Sequence, residues 1–374
     1  MKLTVERAAL LRALAHVQSV VERRNTIPIL SNALLEARSG ALRITATDMD
    51  LAVVEKVPAE VSQDGATTVA AHTLYDIVRK LPEGAQIEIG SGREEGRLDL
   101  RSGRSRLSLA ALPSEDFPVT TDGDTPHNFA VTAGELRTLI DRTQFAVSTE
   151  ETRYYLNGIY LHAAKAEDSD GEVLRAVATD GHRLARVDVP LPKGASGMPG
   201  VIVPRKTVGE LRKLVEEGDA EIAVSLSETK IRFALDSVVL TSKLIDGTFP
   251  DYKRVIPSNN DKALEVECDA FAKAVDLVST ISTEKSRAVK LSLGKGSLVL
   301  SASSPEAGSA SEELEVGYSA EPLEIGFNSR YLLDITRQIA GRSALFMLAD
   351  AASPTLVRDT ADASAVYVLM PMRV

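Results

Sequence analysis

The segment FAVTAGELRTLIDRT, residues 129–143, decides the fold, because it joins a strand pattern to a helix pattern without a break. Phe129 and Val131 alternate with small or polar residues, as in a half-buried β-strand. Apolar positions then recur at helical spacing: Leu136, Leu139, Ile140 and Thr143. Thr132 and Glu135 form a capping-box signature between the two patterns. The segment therefore predicts a strand that runs directly into a helix.

The same strand-to-helix unit begins near residues 3, 129 and 264, which are domain-sized intervals and not solenoid-sized ones. In the first copy, Leu3 and Val5 precede a helical set, Leu10, Leu14, Val17 and Val21. In the third copy, Leu264 and Val266 precede another, Phe271, Val275 and Val278. The chain thus reads as one structural unit written three times.

A second strand-to-helix pass occurs inside each copy, ahead of the helix positions Leu74, Val208 and Leu332. The central one carries Thr207 and Glu210, a second capping-box signature. Hairpin-like strands lie between the two helices of each copy. We therefore predict an α+β fold of three repeated domains, each with two helices packed on antiparallel sheet, over residues 1–125, 126–260 and 261–374. Outer sheet edges of such domains invite pairing with a second copy.

The composition is that of an ordinary globular protein: 374 residues, 44% hydrophobic and 26% charged. The single cysteine, Cys268, continues the alternation of Leu264 and Val266, so we predict a buried thiol on a strand. No disulfide is possible within one chain, the first residues lack the apolar segment of a signal peptide, and no long apolar run suggests a membrane span. These features predict a cytoplasmic protein.

The net charge of −10 at first argues against a nucleic-acid partner, because phosphate binding needs clustered Lys and Arg. Each of the three predicted domains is acidic overall. Net charge does not give the distribution of charge, however, and an acidic protein can carry one basic surface. The objection to DNA is therefore weak.

No catalytic motif is recognisable in the sequence. The five histidines form no HxxxH pair, and there is no phosphate-binding GxxxxGK[ST] loop and no GxSxG elbow. Asp48 and Asp180 directly follow Thr residues between predicted strands, and Asp50 lies two residues after Asp48; a structural Asp turn is the simplest interpretation. An enzyme acting on nucleotides or sugars through Asp48 and Asp180 is the alternative, and a structural scaffold that binds no DNA is another. We predict a non-catalytic protein without metal or cofactor.

Four strings carry a family resemblance: Arg153–Gly158 (RYYLNG), Ala178–Leu184 (ATDGHRL), Asp246–Tyr252 (DGTFPDY) and Met370–Arg373 (MPMR). Together with the repeat length, they resemble the β-subunit family of bacterial DNA polymerase III, the DNA sliding clamps, from residue 1 to residue 374. The resemblance implies two three-domain crescents joined head to tail as a closed homodimeric ring, so that one chain is half of the ring. Helices line the hole, which encircles double-stranded DNA without base readout.

The resemblance also implies a cleft between the second and third domains in which partners insert a short peptide with Leu and Phe anchors. The implied partners are the polymerase III catalytic subunit, the clamp loader and repair proteins. Methionine and leucine suit such a lining, because they adapt to related peptides. The matching positions are Leu156, Thr179, Gly181, His182, Arg183, Leu184, Pro250, Arg254, Val255, Val368, Met370, Pro371 and Met372.

Candidate DNA contacts come from two sources. By resemblance, Arg24, Tyr154 and Tyr155 approach DNA near one face of the ring. Basic pairs also recur at matching places on the predicted helices, as Arg79 with Lys80 and Arg205 with Lys206. A solvated helix face would explain any one pair, whereas their recurrence favours a phosphate-facing hole.

Ring closure, on the same resemblance, uses Leu107, Leu109 and Ile281. Arg104 and Arg106 would meet acids of the partner's third domain, with Glu306 and Glu312 as the candidates. The segment 305–313 carries small residues where some relatives carry a denser run of acids. The sequence therefore leaves the strength of the ring interface open.

Overall fold

A computed structural model describes residues 1–23, 25–92, 94–118, 124–167, 170–282 and 287–373. The chain divides into two compact units. The first unit comprises Met1–Leu136, Pro192–Ala195 and Lys206–Leu244, and the second comprises Arg137–Leu191, Ser196–Arg205 and Ile245–Val374.

The α-helices are α1 Arg7–Val20, α2 Ala71–Lys80, α3 Ala133–Asp141, α4 Arg205–Leu214, α5 Cys268–Ser279 and α6 Ser329–Thr336. Short 3₁₀ helices cover Pro28–Ser31, Ser114–Asp116, Gln144–Ala146, Glu151–Leu156 and Tyr252–Arg254. Within the part of the chain that the structure describes, no helix is long and apolar enough to cross a membrane.

The strands of the first third are β1 Lys2–Glu6, β2 Asn32–Arg38, β3 Ala41–Thr47, β4 Leu51–Pro58, β5 Glu60–Gln63, β6 Gly65–Ala70, β7 Gln86–Ser91, β8 Arg97–Ser102 and β9 Ser105–Leu112. Those of the central third are β10 His127–Thr132, β11 Gly158–Lys165, β12 Glu172–Thr179, β13 Arg183–Pro190, β14 Val201–Pro204, β15 Glu221–Leu226, β16 Lys230–Leu235 and β17 Val238–Lys243. The last third contains β18 Lys262–Glu267, β19 Ala288–Gly294, β20 Ser297–Ser304, β21 Gly308–Glu315, β22 Gly317–Tyr318, β23 Leu323–Asn328, β24 Ser343–Leu348, β25 Thr355–Asp359 and β26 Ala365–Leu369.

The first unit is built on one antiparallel sheet in the order β10-β15-β16-β17-β4-β3-β2-β6-β9-β8-β7-β1-β5. Helix α1 packs on β3 and β4 and against α2. Its apolar face is fully buried, as shown by Leu10, Leu14 and Val17. Because side chains alternate across a strand, Leu42 and Ile44 of β3 are buried on one face while Arg43 and Thr45 lie on the other.

The second unit contains two antiparallel sheets, ordered β14-β11-β12-β13-β26-β25-β24-β18-β22 and β21-β20-β19-β23. Helix α5 packs against α6 and against strands of both sheets. Phe271 of α5 lies 5.5 Å from Phe346 of β24 between ring centroids, which ties the helix to the sheet. The α+β class with antiparallel sheets, predicted from the repeats, is confirmed.

Two predictions about helix starts had different outcomes. The capping box at α3 is confirmed: the backbone N–H of Glu135 donates to Thr132 Oγ1 at 3.2 Å, and that of Thr132 donates to Glu135 Oε2 at 3.0 Å. The capping box at Thr207 is wrong, because α4 begins two residues earlier, at Arg205. The Thr207 hydroxyl instead bonds the Ser242 hydroxyl at 2.6 Å.

The strand assignment of Cys268 is also wrong. Strand β18 ends at Glu267, whose carboxylate accepts from the Ala270 N–H at 2.7 Å and so caps α5 from its first residue. Cys268 is nevertheless buried, and burial raises the pKa of its thiol to about 11. The thiol is therefore protonated at neutral pH and packs as a small apolar group.

Candidate functional site

An apolar cluster in the second unit collects side chains from distant parts of the chain. We call it the apolar cluster; its buried members are Leu156, Val177, Leu184, Ile202, Phe249, Tyr252, Leu356, Val366 and Val368. Strand pairing brings them together, because Leu184 of β13 lies opposite Val368 of β26, which lies opposite Leu356 of β25. Three of the residues predicted to bind peptide, Leu156, Leu184 and Val368, thus share one core.

The turn between β12 and β13 is held by its own side chains. Asp180 Oδ1 accepts the N–H groups of His182 at 2.9 Å and Arg183 at 3.0 Å, and Thr179 Oγ1 donates to the Arg183 carbonyl at 2.7 Å. Gly181 has φ +87°, and a Cβ there would lie 2.5 Å from the Arg153 guanidinium. These bonds support the structural interpretation of Asp180.

The turn between β3 and β4 of the first unit has the same construction. Asp48 Oδ1 accepts the N–H of Asp50 at 3.0 Å and that of Leu51 at 2.7 Å. Thr47 Oγ1 donates to the Leu51 carbonyl at 2.9 Å. The predicted recurrence of the Thr-Asp turn therefore reflects one turn geometry used twice.

Arg183 points into the protein and not into solvent. Its side chain is 7% exposed and donates to Asp334 at 2.6 Å, to Asp180 at 3.1 Å and to the Phe145 carbonyl at 2.5 Å. The guanidinium also lies over the Tyr331 ring, 4.3 Å from its centroid. A buried charge needs such a set of partners. Arg183 therefore fixes the turn that carries His182.

The C-terminal segment is attached next to this turn. The Met370 N–H donates to the His182 carbonyl at 2.9 Å, and the Met372 N–H donates to the Gly326 carbonyl at 2.9 Å. Met370 is 37% exposed, His182 is exposed and stacks on Tyr331, and Pro371 is half-buried. A flexible thioether thus lies at the surface beside an exposed ring.

Three more of the predicted peptide-binding residues lie at the surface. Val255 and Pro250 are exposed. Arg254 is 87% exposed and pairs with Asp251 at 3.0 Å. The predicted set therefore separates into a buried floor within the apolar cluster and exposed side chains from three segments, at 182, 250–255 and 370.

An aromatic stack that the sequence did not indicate includes Phe249 of the apolar cluster and Tyr160, which packs against the cluster. Tyr160 stacks on Phe249, with 4.9 Å between centroids and 6° between planes, and on His162 at 4.6 Å. Tyr160 and His162 alternate along β11, so their shared face was visible in the sequence. Their partners Phe249 and Tyr252 are distant in the chain, and only the fold brings them together.

A polar network supports the same stack. His162 Nδ1 lies 2.9 Å from the Ala163 carbonyl and therefore donates to it, so Nε2 accepts from the Tyr252 hydroxyl at 3.1 Å. Arg175 donates to the Tyr252 hydroxyl at 3.3 Å and twice to Asp188 at 2.7 Å. Burial lowers the pKa of His162. Burial also opposes the charge of Arg175, but the hydrogen bonds to Asp188 and Tyr252 raise its pKa.

The candidate DNA residues of the second unit are accessible. Tyr154 is 54% exposed and meets the half-buried Tyr155 edge to face at 5.8 Å. Arg205 is exposed at the start of α4. Arg24 lies outside the described residues. The Tyr154-Tyr155-Leu156 string thus changes from exposed to buried along its length.

The candidate DNA-binding residues of the first unit differ in whether their charges are already paired with a carboxylate. Lys80 is exposed, and Arg79 lies 3.2 Å from Asp76 with its guanidinium over the Tyr75 ring. Lys206 bonds the Asp48 carboxylate and lies 3.5 Å from Glu22. Burial alone would lower the pKa of Lys206, but its bond to Asp48 and the two carboxylate charges raise it. The Lys206 ammonium is thus already paired.

The candidate interface residues lie on two strand edges, in the turns beside them and just after α5. Strand β9 pairs with β6 only through Ala111 and Leu112, so its residues 105–110 have one unpaired edge. Leu107 and Leu109 lie on the same face of this strand. Arg104 and Arg106 are exposed. Strand β21 is the edge of its sheet and carries Glu312, while Glu306 lies in the preceding turn. Ile281 is half-buried just after α5.

Among the described residues, no group of three or more His, Cys, Asp or Glu side chains is arranged to hold a metal ion.

Family profiles match nearly the whole chain. Residues 1–121 match the DNA polymerase III beta subunit N-terminal domain, residues 130–251 its central domain and residues 253–373 its C-terminal domain. The beta sliding clamp of Caulobacter vibrioides is 55% identical over 375 residues, covering all of both chains. That of Escherichia coli K12 is 41% identical over 374 residues, again with full coverage.

Solved structures agree with the sequence relatives. The Caulobacter crescentus beta sliding clamp with PEG bound to a putative beta-motif tethering region has a TM-score of 0.97 and 55% identity, covering 100% of this chain and 99% of that one. The Bartonella birtlesii DNA polymerase III subunit beta bound to griselimycin has a TM-score of 0.96 and 53% identity with full coverage of both chains. The chain therefore belongs to the DNA polymerase III beta subunit family, the beta sliding clamps, and is a non-catalytic subunit that serves DNA replication.

Proposed function

We propose that two copies of the chain close head to tail into a ring that encircles duplex DNA in the bacterial cytoplasm. Partner proteins dock on the ring by a short peptide that lies on the apolar cluster. The polymerase III catalytic subunit and the clamp loader are the expected partners. The three repeats take the boundaries 1–125, 126–260 and 261–374, with the peptide surface formed by the second and third.

The observation that carries peptide docking is the combination of a buried apolar floor with exposed apolar side chains beside it. Val255 and Met370 remain exposed close in the chain to Tyr252 and Val368 of the apolar cluster, so a Leu or Phe anchor would bury its own apolar surface together with theirs. Burial of such a side chain is worth about 1.5–3 kcal/mol. The griselimycin and PEG complexes of the relatives are consistent with a ligand-binding surface in this family.

Ring closure is supported by two complementary edges. Strand β9 offers an unpaired edge with Arg104 and Arg106, and β21 offers another edge with Glu312. Edge strands pair readily with a second chain, and opposite charges fix their register. Ile281 supplies an apolar contact for Leu107 and Leu109.

DNA binding needs no base recognition in a ring. Arg24, Arg79, Lys80, Arg205 and Lys206, with Tyr154 and Tyr155, are the proposed contacts to the phosphate backbone and sugars. Such contacts do not depend on the base sequence, so the ring can slide along the duplex. Their strength falls as the salt concentration rises. Lys206 would first have to exchange Asp48 for a phosphate, so we expect it to contribute less than Arg205.

Peptide docking is tested by removing residues 370–374. Binding of a fluorescent peptide with Leu and Phe anchors should weaken at least tenfold, because the Met370 and Met372 side chains are lost. Sedimentation should still report a dimer. Arg373→Ala, an exposed residue in the same segment, is the matched control and should bind normally. Unchanged affinity after the deletion would refute the surface.

Ring closure is tested separately by Ile281→Ala. If Ile281 is buried in the dimer, truncating it should weaken the free energy of dimerisation by about 2–5 kcal/mol. Sedimentation should then shift toward monomer at low concentration. Val255→Ala, an apolar truncation on the peptide surface, should leave the dimer intact. An unaltered Ile281→Ala dimer at low concentration would count against the interface.

A further inference from the structure

The first unit contains a counterpart of the apolar cluster, built on the same strand register. In the second unit, one row of facing residues runs Tyr160, Val177, Arg186 and Val366 across β11, β12, β13 and β26. In the first unit, the corresponding row runs Leu34, Thr45, Val54 and Val239 across β2, β3, β4 and β17.

A second row shows the same equivalence. It runs Thr179, Leu184, Val368 and Leu356 in the second unit, and Thr47, Ala52, Thr241 and Arg232 in the first. A Phe-Pro dipeptide recurs after β9 and after β17: Phe249 belongs to the apolar cluster, and Phe117 lies at its counterpart. The two surfaces therefore share a scaffold and differ in side chains.

The side chains leave a cavity in the first unit. All residues of the two first-unit rows except Thr47 line, with Phe117, a cavity of about 620 Å³. That volume lies within the range of roughly 300–1,000 Å³ typical of ligand sites. Unlike the apolar cluster, which its own residues fill, this surface is open to an occupant.

Two polar groups in the cavity lack partners. Thr45 is 7% exposed, and its Oγ1 has no hydrogen bond in the structure. A buried hydroxyl without a partner is costly, which makes Thr45 a donor available to a ligand. Arg232 lines the cavity and forms no ion pair with any described residue. Its register equivalent in the apolar cluster is the apolar Leu356.

We propose that this cavity binds a short acidic peptide segment of a partner protein. Arg232 and Thr45 lie three strand spacings apart, about 14 Å, which an extended peptide of about four residues spans. Arg232 pairs with a peptide carboxylate, Thr45 donates to a peptide carbonyl, and an apolar side chain packs on Leu34 and Phe117.

The charges around the cavity favour a single carboxylate over a polyanion. Arg43 and Lys56 line it together with Arg232, but Glu36 and Glu115 line it too. Glu36 lies 3.6 Å from Arg43, so one of these acids is already paired. A nucleic-acid backbone would meet both acids, whereas a peptide with one acid and one apolar residue matches the lining. The site is separate from the apolar cluster and does not depend on its function.

The test uses the full-length protein and capped tetrapeptides, acetyl-Leu-Ala-Ala-Glu-amide and acetyl-Glu-Ala-Ala-Leu-amide, each with a Gln counterpart. Methyl NMR follows Leu34, Val54 and Val239 in this cavity, and Val177 and Leu356 in the apolar cluster. At least one Glu peptide should shift the cavity methyls saturably and bind at least fivefold more tightly than its Gln counterpart. Arg232→Leu should abolish that preference, and Thr45→Val should weaken binding about two- to fivefold.

Several results would overturn the proposal. These are no saturable shift with either acidic peptide, equal binding of the Gln peptides, or shifts confined to the apolar cluster. Equal or tighter binding of inorganic phosphate or of a duplex oligonucleotide at the cavity methyls would assign it to anions instead. Arg358→Leu, at an exposed arginine of β25 in the second unit, is the matched control and should leave the cavity response unchanged.

Discussion

The apolar cluster and the cavity of the first unit share one strand register and differ in what fills it. Val177, Val368 and Leu356 occupy positions that Thr45, Thr241 and Arg232 occupy in the other unit. The apolar set closes on itself and forms a floor, whereas the polar set leaves space and an unpaired hydroxyl. A repeated scaffold thus offers two surfaces, and side-chain chemistry alone decides what each can bind.

The largest expected effect concerns Arg183, whose equivalent in the first unit is the apolar Leu51. Arg183→Ala should lower the free energy of unfolding by about 3–5 kcal/mol, because Asp180 and Asp334 would lose a buried countercharge. Urea unfolding measures it. Arg254→Ala, at an exposed arginine, should change it by less than about 0.5 kcal/mol. If the two variants unfold alike, Arg183 does not anchor the turn.

A reciprocal exchange tests the comparison directly. Val177→Thr places a hydroxyl in the apolar cluster and should cost about 1–3 kcal/mol of unfolding free energy. Thr45→Val removes a buried, unpartnered hydroxyl and should stabilise the protein by up to about 1 kcal/mol. Thermal or urea unfolding of both variants decides it. Equal destabilisation by both substitutions would show that the two positions are not distinguished by polarity.

The apolar cluster contains a polar network in which Tyr252 joins His162 to Arg175. Tyr252→Phe removes the hydroxyl that donates to His162 and accepts from Arg175, so the free energy of unfolding should fall by about 1–2 kcal/mol. Tyr155→Phe, at a half-buried tyrosine beside the cluster, should have little effect. A neutral Tyr252→Phe variant would contradict a structural role for the network.

The smallest expected effect is a pH dependence carried by His162. Burial lowers its pKa in the folded protein, whereas an unfolded histidine titrates near pH 6.5. As pH falls below about 6.5, the unfolded chain binds the proton first, so stability decreases until the pH passes the folded pKa. Urea unfolding at pH 7.5 and 5.5 should show a smaller difference for His162→Gln than for the parent protein. An identical difference would remove His162 as the cause.

Helices and strands were largely predictable, because their apolar periods are local. The α3 capping box was readable for the same reason. The strand assignment of Cys268 was wrong because strand β18 and helix α5 join without a linker, and the apolar alternation continues one residue past the true boundary. The capping-box prediction at Thr207 was wrong because a hydroxyl with the spacing of a helix cap can instead bond a side chain on a neighbouring strand.

The candidate site was predictable only where turn chemistry or resemblance marked it. The Thr-Asp turns are local and were visible. The burial of Arg183 was not, because its partners Asp334, Phe145 and Tyr331 are distant in sequence and an arginine is ordinarily exposed. The cavity in the first unit could not be foreseen either, because it depends on the register of strands from different repeats.

Retention on DNA tests the proposed ring most directly. The protein is loaded on nicked circular duplex DNA and recovered by gel filtration, before and after the circle is cut once. Because topology and not affinity holds the ring, the protein should be retained stably on the circle and lost from the linear molecule. Equal retention on circular and linear DNA would contradict it.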